Sequence, residues 1–134
     1  MANTTFSGPV RSENGFEQVT KNATTGAFTT SATYDATIIG GVQSLSGAGA
    51  VDLTNLITEL TTTGANALTL ANGTTSGQMK IVNMIVDGGD GTLTPVTFAN
   101  GTTITFDAVA ESATLVWNST IGWVATSVQG ATIA

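Results

Sequence analysis

From Val51 onward, turn-forming residues recur at short and regular intervals: Gly64, Asn72-Gly73, Asp87-Gly88-Gly89-Asp90-Gly91, Asn100-Gly101, Asn118-Ser119 and Gly122. Gly and Asn tolerate the backbone angles of tight turns, so this rhythm leaves room only for short extended segments between them. Those segments alternate as half-buried strands do. Ala67-Leu68-Thr69-Leu70, Thr103-Ile104-Thr105-Phe106 and Ala113-Thr114-Leu115-Val116-Trp117 place apolar side chains on one face and small or polar ones on the other. Lys80 to Val86 is apolar on both faces, which requires a central position or a neighbouring subunit as cover. Trp117 to Trp123 reads as a hairpin about Asn118-Ser119-Thr120, with a last strand from Trp123 to Val128. The expected fold is all-β: a small antiparallel β-sandwich or barrel-like domain of meandering strands over residues 48–134.

One stretch points two ways. Leu53, Leu56, Ile57 and Leu60 lie at helical spacing behind Asp52, a good N-cap. The Thr61-Thr62-Thr63 flank and a length of two or three turns favour extended chain. Strand is placed ahead of helix for residues 52–60.

Residues 1–47 have a different character. Phe6-Ser7-Gly8-Pro9-Val10, Ser12-Glu13-Asn14-Gly15-Phe16 and Lys21-Asn22-Ala23-Thr24-Thr25-Gly26 are short extended pieces broken by turn residues. No periodicity there runs long enough for a core of its own. Yet Phe6, Phe16, Phe28, Ile38, Ile39 and Val42 are more apolar than a solvated tail needs. The expectation is an extended N-terminal arm that gains order on a larger body, joined through the small residues Ser44 to Ala50.

Composition narrows the function. Only 9% of residues are charged, well below the roughly 25% of soluble domains, so hydroxyls and amides must cover the surface. The net charge is -6 and the basic residues are Arg11, Lys21 and Lys80, which leaves no basic patch for phosphates. Nucleic acid is not expected as a partner. Absence of Cys and His removes the side chains most used for nucleophilic thiols, zinc and proton transfer near neutral pH. No enzyme activity and no cofactor are expected. The opening residues lack a charged and an apolar signal region, and no run approaches the ~20 residues of a membrane span, so neither signal-directed export nor membrane insertion is expected.

The remaining site-like patterns have plainer readings. Asp87 to Gly91 offers two carboxylates for a cation but reads as a turn. Asp107 and Glu111 are close in sequence without the residues of a substrate cleft. Five Asn-X-Thr triplets begin at Asn3, Asn22, Asn72, Asn100 and Asn118, and coincidence accounts for them in a chain so rich in both residues. Trp117 and Trp123 form either a sugar-stacking platform or part of a core, and core is placed ahead.

The strings Leu60 to Gly73, Gly77-Gln78-Met79-Lys80, Val86 to Pro95, Asn100 to Val109 and Glu111 to Trp117 resemble a family of short virion proteins of tailed bacteriophages of marine bacteria. The opening Phe6 to Phe16 is similar to a leader on other virion structural proteins of the same viruses. The resemblance implies a capsid decoration or cement protein on the outer capsid surface, with a major capsid protein as partner, or else a tail-fibre or receptor-binding module for host glycans. It also implies a homotrimer. On this reading Phe6, Pro9, Arg11 and Phe16 are the docking candidates. Ile81, Val82, Met84, Ile85, Trp117 and Trp123 are the candidates for the oligomer interface.

Overall fold

The structure, a computed structural model, describes residues 16–34 and 41–134. The chain divides into two compact units, Met1–Ile39 and Gly40–Ala134.

In the first unit, β1 (Phe16–Lys21) and β2 (Phe28–Tyr34) pair antiparallel, with an irregularity between Gln18 and Val19. Their turn is built by Asn22. Its side-chain oxygen accepts the backbone N–H groups of Thr24 and Thr25 at 2.9 and 2.9 Å, and Gly26 closes the turn at a φ of 73°. Of the docking candidates, Phe16 opens β1, whereas Phe6, Pro9 and Arg11 lie outside the described residues.

The second unit contains β3 (Val42–Ser46), β4 (Gly49–Val51), β5 (Ile57–Thr61), β6 (Asn66–Leu70), β7 (Met79–Val86), β8 (Gly91–Pro95), β9 (Ile104–Phe106), β10 (Ser112–Asn118), β11 (Gly122–Gln129) and β12 (Thr132–Ile133). They form two five-stranded sheets, sheet I in the order β11-β10-β7-β5-β3 and sheet II in the order β12-β9-β8-β6-β4. The all-β expectation holds, but the sheets are mixed, not antiparallel. Successive strands from β3 to β8 alternate between the sheets, so β3, β5 and β7 stack parallel in one and β4, β6 and β8 stack parallel in the other. Only the later strands β9, β10, β11 and β12 run antiparallel to their neighbours.

Gly64, Asn72-Gly73 and Asp87 to Gly91 therefore make corners between sheets, whereas Asn100-Gly101 and Asn118-Ser119 connect antiparallel strands of one sheet. The corner after β7 lies directly on the corner after β5. Asn66 N–H donates to the Asp90 carbonyl at 2.8 Å, and Gly88 N–H donates to the Thr62 hydroxyl at 2.9 Å. The stack leaves no room for side chains: a Cβ on Gly89, whose φ is 137°, would lie 2.7 Å from the backbone of Gly64. A turn of Gly and Asp is equally suited to folding back or crossing over, which is why local chemistry misread the topology.

Two boundaries also move. β3 is an edge strand of sheet I, so the compact β-unit starts at Gly40 and not at 48. In residues 52–60 the strand starts only at Ile57. Asp52 does act as a cap, accepting the N–H groups of Thr54 and Asn55 at 2.9 and 2.8 Å, but the chain then straightens into β5. Pairing with β3 and β7 on both sides outweighs a marginal helix.

Parallel register aligns Leu68 with Leu93, and antiparallel pairing extends the row through Ile104 and Ile133 across sheet II, while Leu60, Val82, Met84, Ala113 and Leu115 face it from sheet I. β7 is central in its sheet, as its two-sided apolar character requires. Leu93 is fully buried in that row, so Leu93→Ala is expected to lower unfolding free energy by about 3 kcal/mol. Gly89→Ala, strained and crowded, is expected to cost about 2 kcal/mol. Urea denaturation followed by tryptophan fluorescence measures both.

Candidate functional site

A polar network surrounds the β4–β5 corner. Lys80 sits on the inner face of β7 with its side chain 1% exposed. Its Nζ donates to the Asn55 carbonyl at 2.7 Å and lies 3.6 Å from Asp52 Oδ1. Asn55 donates its amide to Asp52 Oδ2 at 2.7 Å, Gln43 Oε1 accepts from Asp52 N–H and the Thr58 hydroxyl, and Gln78 donates to the Leu53 carbonyl. Burial pushes the Asp52 carboxyl up. The Asn55 backbone N–H and amide, the Lys80 charge and the Thr54 N–H outweigh it and hold the group below the ordinary carboxylate value. For Lys80, burial pushes the pKa down and the attraction of Asp52 offsets only part of this. The network ties the β4–β5 corner to β7.

The tryptophans are also structural. Their rings lie 5.5 Å apart at 60°, Trp123 is fully buried, and its Nε1 donates to the Ala71 carbonyl at 2.8 Å. Trp117 is 7% exposed and is covered by Gly73, where any Cβ would collide with the indole. In the loop after β7, Asp87 Oδ1 accepts Gly89 N–H at 2.9 Å, an ordinary Asx turn. Glu111 Oε2 accepts Asp107 N–H at 2.7 Å beside Ala110, which has a φ of 72°. Among the described residues no group of three or more His, Cys, Asp or Glu side chains is placed to hold a metal ion.

What remains is surface. The outer face of sheet II is a hydroxyl field in which Ala67, Thr92, Thr105 and Thr132 stand in one cross-strand row. A shallow hollow of about 230 Å³ lined by Ala65, Asn66, Ala67 and Thr92 opens there. The outer face of sheet I is different. Val42, Ile57 and Ile81 form one row, and Met79, Val116 and Val124 another. Between them and Ile85 runs a polar row of Ser44, Glu59, Asn83 and Ser112. Val42, Met79 and Ile85 are 45%, 46% and 43% exposed.

This corrects the list of interface candidates. Val82, Met84, Trp117 and Trp123 are buried inside the chain's own core and present nothing to a partner, because alternation on β7 and β10 turns them inward. Ile81 and Ile85 point outward. Val42, Ile57, Met79, Val116 and Val124 join them on that face, which sequence reading missed because the parallel register of β3, β5 and β7 assembles it. The one signal available was that apolar residues of Met79 to Val86 fall on both faces of the strand, at Met79, Ile81 and Ile85 as well as Val82 and Met84.

No protein-family model and no curated protein matches the chain.

Asp52→Ala removes the acceptor of four hydrogen bonds, from the Thr54 N–H and hydroxyl and the Asn55 N–H and side-chain amide, and the counter-charge of a buried ammonium. It is expected to destabilise by about 2 kcal/mol, discounted because Asp52 is 31% exposed. Because the folded-state pKa of Asp52 lies below its unfolded value, its contribution is complete above about pH 4 and is lost as the pH falls through the folded value. Urea midpoints of wild type and Asp52→Ala are therefore expected to converge in acid.

Proposed function

We propose that the protein is a non-enzymatic virion structural protein that decorates and stabilises a capsid shell, docking by its N-terminal unit and associating with its own copies through its β-domain. The observation that carries this reading is the contrast between two parts of one chain. Gly40–Ala134 closes its own core between two sheets, whereas the described part of Met1–Ile39 is a two-stranded hairpin, an element only marginally stable by itself in water. Such a unit gains most from binding to a larger surface, here the major capsid protein at the outer capsid surface. The resemblance of Phe6 to Phe16 to a virion leader supports the same assignment. A symmetric oligomer, a homotrimer by that resemblance, would present several arms at once and so bind with avidity.

The alternative, a tail-fibre or receptor-binding module for host glycans, calls for exposed aromatic rings. Trp117 and Trp123 are committed to the core and lend it no support.

A variant lacking residues 1–20 is expected to lose co-sedimentation with capsid shells while the β-domain keeps its circular dichroism and melting temperature. Unchanged binding would refute the docking arm. In the full chain, Arg11→Ala combined with Phe16→Ala is expected to weaken shell binding about tenfold, the loss typical of one anchoring contact.

A further inference from the structure

We infer that Lys80 and Asn55 become joined by an isopeptide bond that the folded chain makes by itself, with the Asp52 carboxylate moving the protons. This modification lies inside the β-domain and is independent of capsid docking. Three features of the β4–β5 corner carry it. First, Lys80 is a poorly matched buried amine. Its side chain is 1% exposed, and of the three N–H donors of an ammonium one meets the Asn55 backbone carbonyl at 2.7 Å, while Asp52 Oδ1 at 3.6 Å lies beyond good hydrogen-bond reach. Burial favours the neutral, nucleophilic amine.

Second, Asp52 meets both reactants. One carboxylate oxygen faces the Lys80 amine, and the other accepts the Asn55 side-chain N–H at 2.7 Å, on the nitrogen that has to leave. Groups held this way react without the entropy loss of an encounter. Against burial, the hydrogen bonds from Asn55 and the Lys80 charge keep Asp52 ionised, so it is a proton acceptor and a poor electrophile. The Asn55 carboxamide is therefore the electrophile. Third, that electrophile is within reach. Nζ is anchored on Asn55 itself, whose side-chain Cγ is a few bonds from the anchoring carbonyl, so a side-chain rotation brings the two together. Gly41 makes room, since a Cβ there would collide with Asn55 Oδ1.

In the reaction Asp52 takes a proton from the Lys80 ammonium, and the freed Nζ lone pair attacks Asn55 Cγ. Asp52 returns that proton to Nδ2 as the Cγ–Nδ2 bond breaks. The proton that Nζ sheds as the new amide forms passes through the same carboxylate to the departing ammonia, which leaves as ammonium. No oxidant or co-reactant enters. The step runs once per chain, so a slow reaction suffices, and the ion pair of the newly folded chain is its reactant.

The test uses the full chain, incubated after purification and then denatured. Its intact mass is expected to be lower than that of the sequence by one ammonia. The basic residues are Arg11, Lys21 and Lys80, so trypsin cuts an unmodified chain after Lys80, whereas an acylated Lys80 resists and residues 22–134 are recovered as one fragment. Fragmentation in the mass spectrometer is expected to place the branch at Asn55. Lys80→Arg and Asp52→Ala, checked for folding by circular dichroism, are expected to keep the full mass and to be cut after residue 80. Should both variants fail to fold, the wild-type mass and digest decide alone. A wild type of full mass that is cut after Lys80, an ammonia loss that persists in Lys80→Arg, or a branch at Asp52 instead of Asn55 would overturn the inference. None of these readouts involves shells, so loss of the docking reading leaves the bond standing, and the reverse holds.

Discussion

The β-domain depends on one buried cation. Lys80 lies where the first crossings between the sheets converge, and its ammonium joins the Asn55 carbonyl and the Asp52 carboxylate to β7. A parallel coil needs such a tie. Unlike a hairpin, whose two strands close each other through a short turn, a corner between sheets leaves backbone groups that the next strand cannot reach. Here Asp52, Gln43, Gln78 and Lys80 satisfy them from side chains, and the Asp52 carboxylate offsets part of the cost of burying the Lys80 charge.

From this tie the rest follows in order. β5 lies between β3 and β7, and in the opposite sheet parallel pairing aligns Leu68 with Leu93 while antiparallel pairing adds Ile104 to the same inward row. The same register lines up Val42, Ile57 and Ile81 outward. One geometric fact thus makes both the core and the apolar outer face. The antiparallel strands β9 to β12 finish the sheets beside it, and the two tryptophans of the β10–β11 hairpin close the core under Gly73.

Much of this was legible in the residues. The runs at Leu68, Ile104 and Leu115 are strands, the segment around Ile81 is central, and Trp117 and Trp123 flank a hairpin. Reading failed where the answer was not local. Gly88 and Gly89 look like the tip of a hairpin but are glycines because a second corner presses on them from Thr62 and Gly64. Val42 looked like part of an arm, because its partner Ile57 lies fifteen residues on, beyond any local pattern. Val82 and Met84 looked like contact residues because both faces of β7 are apolar, and which face meets the core depends on the opposite sheet.

Sequence alone determined that this chain is all-β, poor in charge, and divided into an N-terminal segment and a compact remainder, because alternation, turn residues and composition act over a few neighbours. Only the tertiary structure decided that consecutive strands cross between sheets instead of folding back, and hence which apolar residues are core and which are surface. The reason is that strand pairing is a contact between distant segments. The backbone offers the same donors and acceptors to a parallel or an antiparallel neighbour, so a local pattern leaves that choice open.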